Sequence, residues 1–129
     1  DGKAIVALGS AWSKVEVDGK EHRIGVASNA FVFPGIGMAI MASSVDRITD
    51  QFFTTAAHSL ASCVSKKDID EGAVYPRIKD MQKVGSRVAI DVLKECGKGI
   101  EGVPEAEHEI YDLVQSRIWK PIYHPYKRV

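Results

Sequence analysis

Ser28 and Asn29 stand side by side directly ahead of an apolar run, in the stretch Gly25-Val26-Ala27-Ser28-Asn29-Ala30-Phe31-Val32-Phe33-Pro34-Gly35-Ile36-Gly37. An amide NH₂ donates to a carboxylate or carbonyl oxygen while adding no charge, and a hydroxyl both donates and accepts. The run is broken at Pro34 and Gly35 and resumes through Ile36, Met38, Ala39, Ile40, Met41 and Ala42. That layout predicts a tight loop, two polar side chains and a buried helix just beyond Gly35. Helix N-termini carry unpaired N–H groups and partial positive charge, so a loop here can present donors to an anion. Asn29 has a second reading, as the residue that caps the following turn.

Gly9 and Ser10 close the apolar run Ala4-Ile5-Val6-Ala7-Leu8. Its β-branched members predict a strand buried on both faces, as in a parallel sheet. Ligands of open α/β sheets bind beyond the carboxyl ends of the strands, so Gly9 and Ser10 are candidates for cofactor contact. The alternative is a turn glycine followed by a serine satisfied by backbone. Gly35-x-Gly37 lacks the third glycine of a dinucleotide fingerprint, follows no good parallel strand and has no acidic residue placed for a ribose. Close helix packing accounts for it better. Glu105-x-x-His108 has the spacing of a di-iron helix motif but no second copy, and reads as a charged helix start. His22, His58 and His124 have no partner at a telling spacing and read as surface or satisfied core. Cys63 and Cys96 fall on or beside helix stripes, where burial is the default.

The elements that must position these residues follow from periodicity and punctuation. Val15-Glu16-Val17 and the residues after Asp18-Gly19 predict a hairpin. Gly25 to Asn29 reads as irregular chain. The block after Gly35 is apolar on all sides and so belongs inside the protein. Thr49 or Asp50 caps the next helix, with Phe53, Ala56, Ala57, Leu60 and Val64 inward and Gln51, Thr55, His58 and Ser62 outward. Ser65-Lys66-Lys67-Asp68 has the form of a capping box, and the short helix behind it stops at Gly72. Tyr75 precedes Pro76 and is extended. Met81, Val84, Val88, Val92 and Cys96 stripe another helix that ends at Gly97. Pro104 is placed to open a last helix, with Ile110, Val114 and Ile118 inward and Arg117 and Lys120 at its end. Pro121 and Pro125 hold the tail extended.

The 129 residues suit one domain with a real core. Lys plus Arg equal Asp plus Glu at 17 each, which argues against a nucleic-acid binder with its basic excess. Lys127-Arg128 reads as a solvated tail. Two cysteines make no disulfide framework and suit a reduced compartment. No apolar stretch reaches the roughly 20 residues of a membrane span. Asp1 opens no signal peptide.

Residues Gly25 to Gly37 resemble the malic enzyme family, whose matching segment reads Asn-Asn, an aromatic or apolar stretch, then Phe-Pro-Gly and a buried helix. Val6-Ala7-Leu8-Gly9-Ser10 resembles the strand end before that loop, and Asp18-Gly19-Lys20 its hairpin. Tyr75-Pro76 matches a Tyr-Pro-Pro turn in part, with Arg77 in place of the second proline. Trp119-Lys120-Pro121-Ile122-Tyr123 is similar to the closing tail. In that family such residues form the last quarter of the enzyme. The implied fold class is α/β, a fragment of a Rossmann-like NAD(P)-binding domain (one or two strands and a hairpin) followed by a mainly helical carboxy-terminal segment. Residues 1–45 are then the end of the NAD(P)-binding domain with the substrate loop, and residues 46–129 the helical segment and tail.

The resemblance implies oxidative decarboxylation of L-malate to pyruvate with NAD or NADP and Mg or Mn. Malolactic enzymes, which release lactate, and a non-catalytic oligomerisation module are the alternatives. Asn29 inherits a substrate-binding role by position, and Ser28 stands where the family has its first Asn. Gly9 and Ser10 are the cofactor-binding candidates. The family's catalytic tyrosine and lysine, its metal-binding glutamate and aspartates, and its nucleotide fingerprint lie upstream. No catalytic and no metal-binding residue is therefore assigned here, and the chain alone is expected to be inactive. The implied partners are L-malate, the rest of the parent polypeptide and further copies in a homo-oligomer, dimer or tetramer. Nucleic acid and membrane are excluded. The implied compartment is the cytoplasm or an organelle matrix.

Overall fold

The computed structural model describes residues 4–119, 122–123 and 125–126. Lys120, Pro121, His124 and the Lys127-Arg128 pair lie outside the described residues. In chain order the elements are β1 (Ala7–Leu8), β2 (Val15–Val17), β3 (Lys20–His22), β4 (Gly25–Val26), α1 (Phe33–Ala42), α2 (Asp50–Ser62), α3 (Lys66–Asp70), α4 (Met81–Cys96) and α5 (Glu107–Arg117). Short 3₁₀ turns precede α1 at Asn29–Phe31 and α4 at Ile78–Asp80.

β2 and β3 pair antiparallel, Val17 opposite Lys20, around Asp18 and Gly19. Both turn residues have positive φ, 51° and 72°, which matches the right-handed twist of the strands and which glycine adopts without strain. β1 pairs in parallel with β4, Ala7 opposite Gly25 and Leu8 opposite Val26. The expectation of irregular chain from Gly25 to Asn29 is thus corrected, since its first two residues form a strand. β1 is also less covered than expected. Ile5, Val6 and Leu8 are exposed, because β4 is the sole strand beside it among the described residues.

The core lies among the helices. α4 runs through its middle, with α1, α2 and α5 packed around it. Its stripe Val84, Val88 and Val92 is buried as the spacing predicts, and Gly97 caps its end. Gly35 lets α1 approach α4 closely. A Cβ at that position would sit 2.6 Å from the Gly85 carbonyl oxygen and 2.7 Å from Val88 Cβ. Gly37 has open space where its side chain would be, so the packing explanation holds for the first glycine only.

Three helix expectations are corrected. α1 begins at Phe33, with Pro34 inside its first turn where a missing N–H costs nothing. It buries Ile36, Ala39 and Ala42 but leaves Phe33 and Met41 exposed, so only one face is interior. On α2 the buried residues are Phe52, Ala56 and Ser59, while Phe53 and Ala57 face solvent. The helix is rotated from the expected register, so that Phe52 and Ala56 join the core and Thr55 and Ser59 turn toward α4. Ser59 donates to Asp91 at 2.7 Å, and Thr55 lies 3.9 Å from Cys96 Sγ. α5 starts at Glu107 rather than Pro104, so Glu105 lies outside the helix that carries His108. Ile110 and Val114 are buried as expected. Among the described residues no helix is long and apolar enough to cross a membrane.

Candidate functional site

The parallel pairing of β1 and β4 decides where the candidate residues meet. Leu8 and Val26 are register partners, and the Ala27 amide donates to the Leu8 carbonyl at 2.8 Å. Gly9-Ser10 and Ser28-Asn29 therefore leave the sheet side by side, beyond the same carboxyl edge. Gly9, Ser10 and Asn29 are exposed and Ser28 is half-buried. No atom lies within 4 Å of a Cβ built on Gly9, so the space beside that strand end is open. A cleft of about 910 Å³ lies elsewhere, between α4 and α5, and Asn29 does not line it.

The bend has a local cause. The Ser28 hydroxyl oxygen accepts from the Ala30 amide at 3.2 Å, and the Ser28 carbonyl accepts from the Phe31 amide at 3.2 Å. The Asn29 carbonyl accepts from Val32 at 3.0 Å. Ser28 makes the cap, and the Asn29 amide has no hydrogen-bond partner among the described residues. The Ala30, Phe31 and Val32 amides are used within the turn.

Behind the bend, Phe31 is fully buried and its ring stacks on Tyr75 at a centroid distance of 6.5 Å. Gly25 packs on the same tyrosine, since a Cβ there would lie 3.5 Å from Tyr75 Cβ. Arg23 Nη2 donates to the Tyr75 carbonyl at 2.8 Å and lies 3.0 Å from Asp68 Oδ1. Arg77 Nε lies 2.9 Å from the same oxygen, and its Nη2 donates to Glu71 at 2.8 Å. The Asp68 contacts are ionic approaches outside hydrogen-bond alignment. Burial disfavours ionised Asp68, but the Ser65 hydroxyl and the two guanidinium groups outweigh it and hold its carboxyl below the usual range. Reading the sequence did not find this network. Arg23, Asp68 and Arg77 are far apart in the chain, and the only local signal was the Ser65–Asp68 box. Its serine accepts from the Asp68 amide at 3.1 Å as predicted.

Among the described residues no three His, Cys, Asp or Glu side chains converge as a metal ligand set. The donor set of this segment thus does not fit a catalytic divalent ion. Cys63 and Cys96 are half-buried free thiols, and burial pushes both above the usual thiol range. His22 is half-buried, with Nδ1 3.0 Å from where a Gly72 side chain would begin, while His58 and His108 are exposed.

A family model described as malic enzyme, NAD binding domain, matches residues 1–97. The NAD-dependent malic enzyme of Pseudomonas aeruginosa (strain UCBPP-PA14) is 34% identical over 128 residues, 99% of this chain and 23% of that protein. The protein of the same name from Pectobacterium atrosepticum is 36% identical over 129 residues, again 99% and 23%. That from Sodalis glossinidius is 34% identical over 128 residues. The chain spans 23% of the length of these curated relatives.

Proposed function

The chain belongs to the malic enzyme family, and on that premise we propose that it is the carboxy-terminal portion of an enzyme that oxidises L-malate with NAD⁺. Its strand pair is the end of a Rossmann-like NAD-binding domain. Bound NAD⁺ would supply the hydride acceptor for C2 of malate, and the products of the full reaction would be pyruvate, CO₂ and NADH. NAD⁺ is preferred to NADP⁺ in this reading because the relatives carry the name NAD-dependent.

The observation that carries it is the convergence of Gly9-Ser10 and Ser28-Asn29 on one sheet edge. Gly9, with open space beside it, and Ser10 border the dinucleotide. Asn29, with its amide unengaged, donates to a malate oxygen and fixes the angle at which C2 meets the nicotinamide. It adds no charge to a site that must also hold a divalent ion. Ser28 shapes the bend, and its hydroxyl proton remains free to reach substrate through a water. The acid, the base and the ligands for Mg or Mn come from the remainder of the full-length polypeptide. We place the boundary between the end of the NAD-binding domain and the helical carboxy-terminal segment at 45/46, although the core formed by α1, α2, α4 and α5 crosses it and the family model runs on to residue 97. The compartment in this reading is the cytoplasm. The exposed Trp119, Tyr123 and Tyr126 suit contact with further copies.

The test is an assay of the full-length protein with L-malate, NAD⁺ and Mn²⁺. NADH, CO₂ and pyruvate in equal amounts support the proposal. Lactate without net NADH establishes the malolactic alternative, and no turnover of malate refutes both. The 129-residue chain by itself is expected to form no NADH.

A further inference from the structure

Arg23 neither reaches the sheet edge nor touches the candidate ligands, yet it links three elements that meet behind them. Its amide donates to the Glu71 carbonyl at 2.8 Å, at the end of α3. Its guanidinium lies against Asp68 at 3.0 Å and donates to the Tyr75 carbonyl at 2.8 Å. The side chain is only 14% exposed, so these contacts are shielded from water. Tyr75 in turn packs on Gly25, within β4, and stacks on Phe31, within the turn that Asn29 opens. The route from the buried ion network to the bend therefore has two steps, a carbonyl held by an arginine and an aromatic ring wedged between a strand and a turn. A buried ion pair adds little net stability against an apolar replacement, so fixing a geometry is the better account of what this one contributes.

We propose that Arg23 is a positioning residue for the Asn29 bend, holding Tyr75 so that its ring fixes Phe31 and Gly25 and, with them, the direction of the Asn29 amide. Arg77 shares Asp68 with Arg23 and braces the far side of the same carboxylate. Both contacts are made by Nη2, and lysine in place of Arg23 retains the charge on Asp68 but not the planar guanidinium that places that nitrogen. This inference rests on the reading of Asn29 as the malate ligand.

The experiment uses the full-length protein and measures KM for L-malate and KM for NAD⁺ separately. The variants are Arg23→Gln, Arg23→Lys, Tyr75→Leu, Asn29→Ala and Arg23→Gln combined with Asn29→Ala. A misplaced ligand is expected to raise the malate KM of Arg23→Gln about tenfold, with the NAD⁺ KM unchanged. Arg23→Lys recovers part of that loss. Tyr75→Leu, which keeps an apolar side chain but removes the stack, reproduces it and carries the test should Arg23→Gln fail to fold. In the double variant the loss equals that of Asn29→Ala alone, because both act through one amide. If Asn29→Ala is silent, the ligand reading fails and the inference with it. If Asn29→Ala weakens malate while Arg23→Gln and Tyr75→Leu leave its KM unchanged, raise both KM values alike or add fully to Asn29→Ala, the positioning role alone is overturned.

Discussion

At Ser28 a single hydroxyl oxygen closes the bend that presents Asn29. Ser28→Ala removes that acceptor and is expected to cost about 1 kcal/mol, read by denaturant unfolding. Asp68 gives a pH-dependent counterpart. Its folded pKa lies below the ordinary 3.8, so its stabilisation is complete above that value and is lost as the pH falls through the lower folded one. Asp68→Asn is therefore expected to be less stable at pH 7 by about 2 kcal/mol, with the partial water access of Arg77 keeping the figure modest. That gap should close as wild type is acidified below the carboxylate range. A gap of equal size at neutral and acid pH would remove the ion network as its cause. The Ser28-Asn29 bend was legible because two polar residues ahead of a Pro-Gly-broken apolar run mark a turn locally. Arg23 was not, because its meaning lies in partners 45 and 52 positions away, Asp68 and Tyr75.

Where α1 crosses α4, two glycines of one helix behave oppositely. Gly35→Ala drives a methyl into the Gly85 carbonyl and Val88, and is expected to destabilise by about 1–3 kcal/mol. Gly37→Ala meets nothing within 4 Å and is expected to be neutral or to stabilise by about 0.5–1 kcal/mol, the usual helix-interior difference. Melting curves of the two variants should move in opposite directions. The elements that sequence reading recovered well are those whose signals are local, the Asp18-Gly19 hairpin, the Ser65 cap and the valine stripe of α4. The facing of α2 was missed because apolar spacing fits Phe53 as well as Phe52, and which of them joins the core depends on the packing of α2 against other helices. The start of α5 was missed because Pro104 tolerates a helix start without requiring one. The chain there still has to travel from Val103, which packs on the core, to Ala106.

Among the described residues Ile5, Trp12, Met41 and Trp119 are more than 60% exposed, the first beside a strand with one described partner. Apolar surface of this kind marks an interface or a tendency to associate. The isolated segment is accordingly expected to run as oligomers or aggregates in light scattering, and a monodisperse monomer would contradict that. Periodicity pointed to a strand, a hairpin and a helical body, and the family resemblance implied the α/β class. They were silent on the placement of the uncovered surfaces, which depends on how distant segments pack. The central claim is that the sheet edge holds malate through Asn29. Its most direct test is malate-dependent NADH formation by the full-length Asn29→Ala variant. The account predicts a malate KM raised by about tenfold or more with the NAD⁺ KM unchanged, and a malate KM equal to that of wild type would contradict it.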